Sequence, residues 1–334
     1  MSQTLLNERV IKHQIFVQRH GGHLSNLAMA QLAKIEREIV RRLDTVGSDY
    51  FELRLMALAK SIIKIYDESN LAIDQISSLE DFAIYEHSFT GKMITASSIA
   101  KLDYVDPAQL VKSLADSKIS LVSGKRKIKT NLAGMYKKLG KSIANNISST
   151  IATGVSLGDT TDKIISDVKQ ISFKRSRNEI EAVVRTATNH TANQARMELI
   201  GENQWMFNGY KFLATLDSRT SLICAGLDGE VLPLSTRHIP PLHYNCRSAL
   251  SPNIRDKFLA DPGGGVRSSQ FGPVDSRISY DGFLRKQTKE YQNEVLGYER
   301  AKLFRKGLSI KGFTNRDGII YNLKQLELKD KLIL

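Results

Sequence analysis

The chain has 334 residues, 41% of them hydrophobic and 25% charged, which is ordinary globular usage; this excludes wholesale disorder and leaves room for two domains, or one large one with an appendage. Two cysteines, Cys224 and Cys246, are too few for a disulfide framework, no uncharged apolar stretch reaches the roughly 18 residues that span a bilayer, and the first ten residues lack an export pattern, so a cytosolic product is expected. The net charge of +13 is uneven: residues 101–200 hold 17 Lys+Arg against 9 Asp+Glu and residues 301–334 hold 8 against 3, which suits non-specific contact with double-stranded DNA and equally a solvated helix face.

From Ser25 onward, Ala28, Leu32, Ile35, Ile39 and Leu43 recur at helical spacing with charged residues between them, which predicts an amphipathic helix. Leu55, Leu58, Ile62 and Ile65 predict a second, and Phe82, Tyr85 and Phe89 a third. Asp106-Pro107 has the form of an N-cap with proline at the first helical position, opening a helix through Leu110, Val111 and Leu114. Residues 1–117 thus read as helical hairpins. Ser123–Lys129 reads as a basic linker, and its Lys125, Arg126, Lys127 and Lys129 are the candidate nucleic-acid residues, although no known nucleic-acid reading motif accompanies them.

Leu132, Tyr136, Leu139 and Ile143 resume a helical period until Gly154 and Gly158, where a tight helix-to-helix turn is expected, with Thr160 to Asp162 capping a short helix. A longer helix is predicted from about Arg177 to Leu199, and on it Arg185, Asn189 and Arg196 share one side. That side reads either as a surface for DNA or protein or as a solvated face; His190 reads as a satisfied helix residue. After Asn203 the pattern turns aromatic and alternating, so Trp205–Leu216 is expected to be a strand, its aromatics core-forming, followed by a turn at Asp228-Gly229. Asp261–Gly265 reads as a boundary or exposed loop, and residues 283–306 as helical. The expected fold is predominantly α with a small α+β domain and a small antiparallel sheet.

One constellation is dense in uncommon residues: Asp217, Arg219 and Thr220 in a turn, Cys224 ahead of Leu227-Asp228-Gly229, then Pro240-Pro241, His243 and Cys246-Arg247. These residues resemble the signature of phage Mu protein F-like head-morphogenesis proteins. The likeness extends upstream to Arg185-Thr186 and Ala195-Arg196, and downstream to Gly282–Gln287, Gln292, Val295–Gly297, Arg300, Phe304 and Gly307. It spans roughly 180–310, with a weaker helical likeness from about 125. The resemblance implies a minor structural head protein and not an enzyme. Such a protein would act in capsid assembly at the portal vertex of a tailed bacteriophage, contact packaged DNA and affect its delivery. Its partners would be the portal protein and scaffold or capsid protein, and its place the virion, after assembly in the host cytoplasm. The organisation expected is a helical region over 1–120 for portal or scaffold docking, a head-morphogenesis domain over 121–260, and its extension over 261–334.

Cys224, His243 and Cys246 offer soft sulfur and imidazole donors that suit zinc, with Asp217 or His238 as a fourth ligand, or water. Fuller versions of the motif carry a further cysteine where this chain has Ser221. Two other readings stand beside zinc: buried cysteines near a hydrogen-bonded histidine, and a disulfide formed late. Asp217, Arg219 and Thr220 read as a turn satisfying its own polar groups, with Arg219 or Arg247 paired to Asp217 or Asp228. A basic, metal-dependent nuclease is the alternative function, lacking a second carboxylate cluster.

Overall fold

The computed structural model describes residues 3–45, 51–260, 265–326 and 328. Eleven α-helices and seven strands are present among them. In chain order these are α1 (Gln3–Asp44), α2 (Phe51–Glu68), α3 (Leu71–Thr95), α4 (Pro107–Asp116), β1 (Ile119–Ser123), β2 (Arg126–Thr130), α5 (Leu132–Leu157), α6 (Thr161–Asp167) and α7 (Lys174–Glu202). There follow β3 (Phe207–Leu213), α8 (Leu222–Leu227), β4 (Val231–Leu232), β5 (Ala249–Ile254), β6 (Val266–Ser269), β7 (Gly272–Asp275), α9 (Tyr280–Arg285), α10 (Lys289–Leu296) and α11 (Tyr298–Arg305). The fold is predominantly α with small antiparallel sheets, as the residue periodicity predicts. No described helix is long and apolar enough to cross a membrane.

The chain packs as two compact units that alternate along the sequence. One comprises residues 1–18, 82–129 and 189–334, the other 19–81 and 130–188. The second unit is helical, and its core includes Leu32, Ile35, Ile39, Ile62, Tyr136, Leu139, Ile143 and Ile164. Leu55 of the predicted second helix lies outside the described side chains. The helix expected from Ser25 begins at Gln3 instead and runs through Gly21-Gly22. At Gly21 a Cβ would stand 3.3 Å from Thr188 Oγ1 and 3.6 Å from the Arg185 Cα, so close packing against α7 overrides the weak helical preference of glycine. The Gly154/Gly158 turn is as expected. Gly158 closes α5 in the left-handed region (φ +71°), and Thr160 caps α6 by accepting from the Lys163 N–H. Between α6 and α7 the chain keeps turning as a π-helical segment, Val168–Phe173.

In the first unit, Leu6, Val10, Met93, Ile94 and Leu102 bury together with Leu199, Ile200 and the aromatic side chains of β3. A second cluster joins Leu216 and Ala225 to Tyr280, Phe283, Phe304, Ile310 and Phe313. The three-stranded sheet has the order β4-β3-β5 and is antiparallel, with Tyr210 opposite Leu232 on one side and Pro252 on the other. Asp106 caps α4 as predicted, accepting from the Ala108 and Gln109 N–H groups. Phe207, Tyr210 and Phe212 are core residues, whereas Trp205 is half exposed with its ring edge-on to Phe258. Residues 283–306 form three short helices, interrupted where Thr288 caps α10 and Gly297 (φ +76°) ends it. The 261–265 boundary lies largely outside the described residues.

Two expectations need correction. The basic segment 123–129 is no linker: Ile119 and Leu121 bury on one face of a hairpin, and Gly124 (φ +60°) with Lys125 makes its two-residue turn. Nor is the polar side of α7 a solvated face over its whole length. Arg185 is partly exposed and paired with Glu181, but Asn189, Asn193 and Arg196 are fully buried. Asn189 donates to the Ser248 carbonyl, Asn193 accepts from the Leu250 N–H at 2.9 Å, and Arg196 donates to the Leu250 carbonyl at 3.1 Å. Helical spacing of four and three thus lays one polar row along the backbone of β5. Arg196 also faces the buried Glu86 carboxylate at 3.7 Å.

His190, on the same helix, is buried with its Nε2 2.6 Å from the Ser117 hydroxyl, and burial lowers its pKa to about 4. The unfolded chain takes up a proton below about pH 6.5 and the folded one does not until about pH 4, so this histidine contributes stability above pH 6.5 that is lost progressively as pH falls. The loss across that window is about 3 kcal/mol. Urea titrations of His190→Gln between pH 7 and 4 should show a flatter decline than the parent chain; parallel curves would assign the acid sensitivity elsewhere.

Candidate metal centre and the motif around it

Strand β3 delivers the chain into the turn at Asp217. There the carboxylate accepts from the Arg219 N–H at 3.1 Å and the Thr220 hydroxyl at 3.2 Å, and Thr220 also donates to the Thr215 carbonyl. Arg247 grips the same carboxylate with both terminal nitrogens, one at 2.8 Å from Oδ1. Burial disfavours the charged form of Asp217, but the Arg247 bond and charge outweigh it and hold the acid below its ordinary range. Arg219 is largely exposed, 3.8 Å from Asp217. The self-satisfying turn expected from the sequence is the arrangement present, with Arg247 as the principal partner.

Ser221 then caps α8, placing Cys224 in its first turn. The second limb is the loop through the cis Pro240-Pro241 bond to His243 and Cys246. Asn245 sits in the left-handed region (φ +57°), and the Cys246 N–H donates to the His243 carbonyl, so the loop folds back and turns both side chains toward Cys224. Cys224 Sγ lies 3.7 Å from Cys246 Sγ and 3.4 Å from His243 Nε2, and the three ligand atoms lie within 4.8 Å of one another. Both cysteines are free thiols.

His243 Nδ1 is 2.8 Å from the Tyr244 carbonyl, which calls for the proton on Nδ1 and presents Nε2 to the sulfurs. Burial opposes ionisation of Cys246, yet hydrogen bonds with Cys224 and His243 hold its thiol well below the usual cysteine range. Cys224, hydrogen-bonded to Cys246 and fully buried, is pushed well up, while His243 is raised by Cys246 against the effect of its burial.

The donor set fits zinc. Tetrahedral coordination with Zn–S near 2.3 Å and Zn–N near 2.0–2.1 Å sets neighbouring ligand atoms roughly 3.5–3.8 Å apart; the 3.7 Å and 3.4 Å separations from Cys224 are close to this, while the three atoms together lie within a wider 4.8 Å. A cavity of about 10 Å³ adjoins Cys224 and His243, lined by Thr215, Thr220, Ser221, Asn245 and Ser248, enough for one water-sized occupant. Asp217 lies outside the group of three, its carboxylate engaged by Arg247, and His238 is not in that group either.

Asp228, in the Leu-Asp-Gly turn, organises the other side of the motif. It accepts from the Ala214 and Tyr280 N–H groups, both at 2.7 Å, and from both terminal nitrogens of Arg267. Arg267 and Asp228 are almost wholly buried. Sequence reasoning did not find Arg267, which lies just beyond the glycine-rich stretch with no motif around it. Glu86 and Asn193 were missed similarly. The four candidate nucleic-acid residues, Lys125, Arg126, Lys127 and Lys129, are exposed on the β1–β2 hairpin, and Lys127 pairs with Asp317 at 3.1 Å.

With this geometry in place, comparison with known families finds a similarity for one stretch. Residues 145–251 match the family model described as Phage Mu protein F like protein. This stretch is similar to that family. No curated protein and no solved structure matches. The Mu F-like segment runs from within α5 to within β5 and includes the Asp217 turn, the thiol–imidazole cluster and the buried polar row of α7. The resemblance read from the motifs is thereby supported over 180–251, and the match begins earlier, at residue 145. Arg267, which completes the Asp228 cluster, lies beyond the matched stretch.

Proposed function

We propose that this chain is a head-morphogenesis protein of a tailed bacteriophage, incorporated as a minor structural component at the portal vertex. The observation that carries this reading is the Mu F-like match over 145–251, which contains Asp217, Cys224, Asp228, His243, Cys246 and Arg247, with the Asp217–Arg247 pair and the thiol–imidazole cluster. In the proposed division of labour, residues 1–120 dock the portal or a scaffold protein, 121–260 form the head-morphogenesis domain and 261–334 extend it. Quantitative mass spectrometry of purified particles and assembly intermediates should find the protein at far fewer copies than the major capsid protein and co-purifying with portal. Absence from both mature particles and intermediates would defeat the proposal.

Zinc belongs to the same reading. Cys224, His243 and Cys246 would hold it, joining α8 to the 239–248 loop as a structural cross-link. Double-stranded DNA would meet the exposed hairpin cations. Binding to duplex DNA should be sequence-tolerant and weaken steeply with salt, and neutralising Lys125, Arg126, Lys127 and Lys129 together should flatten that dependence by roughly the number of phosphates released. Salt-insensitive binding would remove the DNA contact, and metal-dependent strand cleavage would favour the nuclease alternative.

A further inference from the structure

Within the first compact unit, α1 and α3 run alongside each other through a seam of aromatic rings. His13 stacks on Phe89 with centroids 3.7 Å apart, Phe16 lies 5.5 Å from Tyr85, and Tyr85 stacks on Phe89 at 6.0 Å. A core seam would be closed to solvent, but this one is open. Phe16 is 41% exposed and Tyr85 44%, and a groove of about 530 Å³ runs over them, bounded at its ends and rim by Arg9, Lys12, Lys92 and Met93. From Arg9 to Phe16 the groove follows about two turns of helix, or roughly 10 Å.

The charges at its rim have one sign. Lys12 is paired with Glu8, whereas among the described residues no carboxylate pairs with Arg9 or Lys92. The carboxylate beneath the seam, Glu86, is fully buried and taken up by His13 at 2.6 Å, with Arg196 behind it. The floor is therefore apolar and aromatic, and its unpaired rim is cationic.

We infer that this groove docks an acidic, amphipathic helical segment of a partner protein, its apolar side chains on Phe16, Tyr85 and Phe89 and its carboxylates against Arg9 and Lys92. An apolar stripe at i, i+3/i+4, i+7 is the shape that a two-turn groove between helices accepts, and charge complementarity selects the acidic version. Single-stranded nucleic acid is less well matched, because Phe16, Tyr85 and Phe89 pack against one another at centroid separations of 5.5 and 6.0 Å and are not spread out as separate platforms for successive bases. The inference deepens the assembly reading, in which the N-terminal region is the docking element, but it does not depend on incorporation into particles.

The test uses the full chain and a random library of 16-residue helical peptides. Selection is run on the parent protein with counter-selection on two variants: Arg9→Glu with Lys92→Glu, which reverses the rim, and Phe16→Ser, which removes an exposed ring. Unchanged melting temperatures would show that both variants fold. Acidic peptides with a helical apolar stripe should survive, and each purified peptide should bind either variant at least about tenfold more weakly, the loss expected of a central anchor. Enrichment of basic or uncharged peptides, failure to enrich any, or affinity indifferent to both variants would overturn the inference. So would a fluorescent oligo-dT whose binding depends on the same residues, which would assign the groove to nucleic acid.

Discussion

Replacing Asp228 with alanine should lower the unfolding free energy by about 3–5 kcal/mol, the cost of leaving a buried charge without its partner. The carboxylate is almost wholly buried, and its loss strands the Arg267 guanidinium together with the Ala214 and Tyr280 N–H groups. Arg267 has two other acceptors, the Ala214 and Ile278 carbonyls, which hold it in place but cannot neutralise it. Asp228→Asn keeps the shape and loses the charge, so it should fall between alanine and the parent. Arg267→Met combined with Asp228→Ala should cost less than the two single changes summed, because no orphaned charge remains. Equilibrium urea denaturation of the four variants measures this directly. A loss below about 1 kcal/mol for Asp228→Ala, the range of an exposed pair, would contradict the burial assigned to the cluster.

Zinc removal is the other large perturbation. Purified protein should retain close to one equivalent of zinc, and chelation should lower its melting temperature, since ligation energy gained only by the folded chain is folding energy. For a domain of this size each kcal/mol lost corresponds to about 2–4 °C. Cys246→Ser should release the metal and reproduce the chelated melting temperature. Ser221→Cys works in the opposite direction: it adds a thiolate three residues before Cys224, on the same side of the α8 N-terminus, and should slow zinc loss to a competing chelator. Metal-free protein whose stability ignores chelator, with both thiols intact, would leave the cluster as a buried hydrogen-bonded triad.

The helices of this chain were legible because their cores are periodic. Leu32, Ile35 and Ile39, or Leu132, Tyr136 and Leu139, are apolar at the spacing that a helix face imposes, and their burial follows whatever that face meets. The motif was legible for a different reason. Asp217, Thr220, Cys224, His243 and Cys246 stand in the order on which the resemblance to Mu F-like proteins rests, and the local rules of turns and caps predicted how Asp217 and Thr220 satisfy themselves.

Tertiary structure alone decided the rest. Arg196 and Asn193 have the composition of a solvated helix face, and only the arrival of the β5 backbone, whose carbonyl and N–H groups must be paired, makes their burial favourable. Gly21-Gly22 weakens a helix locally, yet the pair lies inside α1, where Gly21 packs closely against α7. The basic stretch 123–129 has the charge of a linker, yet the burial of Ile119 and Leu121 and a bond from the Val122 N–H to the Leu242 carbonyl make it a hairpin. Arg267 reaches Asp228 across 39 positions, and the two compact units draw on alternating stretches of sequence. Local sequence determines which residues carry a charge or an apolar surface; which backbone or opposite charge they meet depends on segments far apart in the chain, and the cost of burying an unpaired polar group makes that meeting specific.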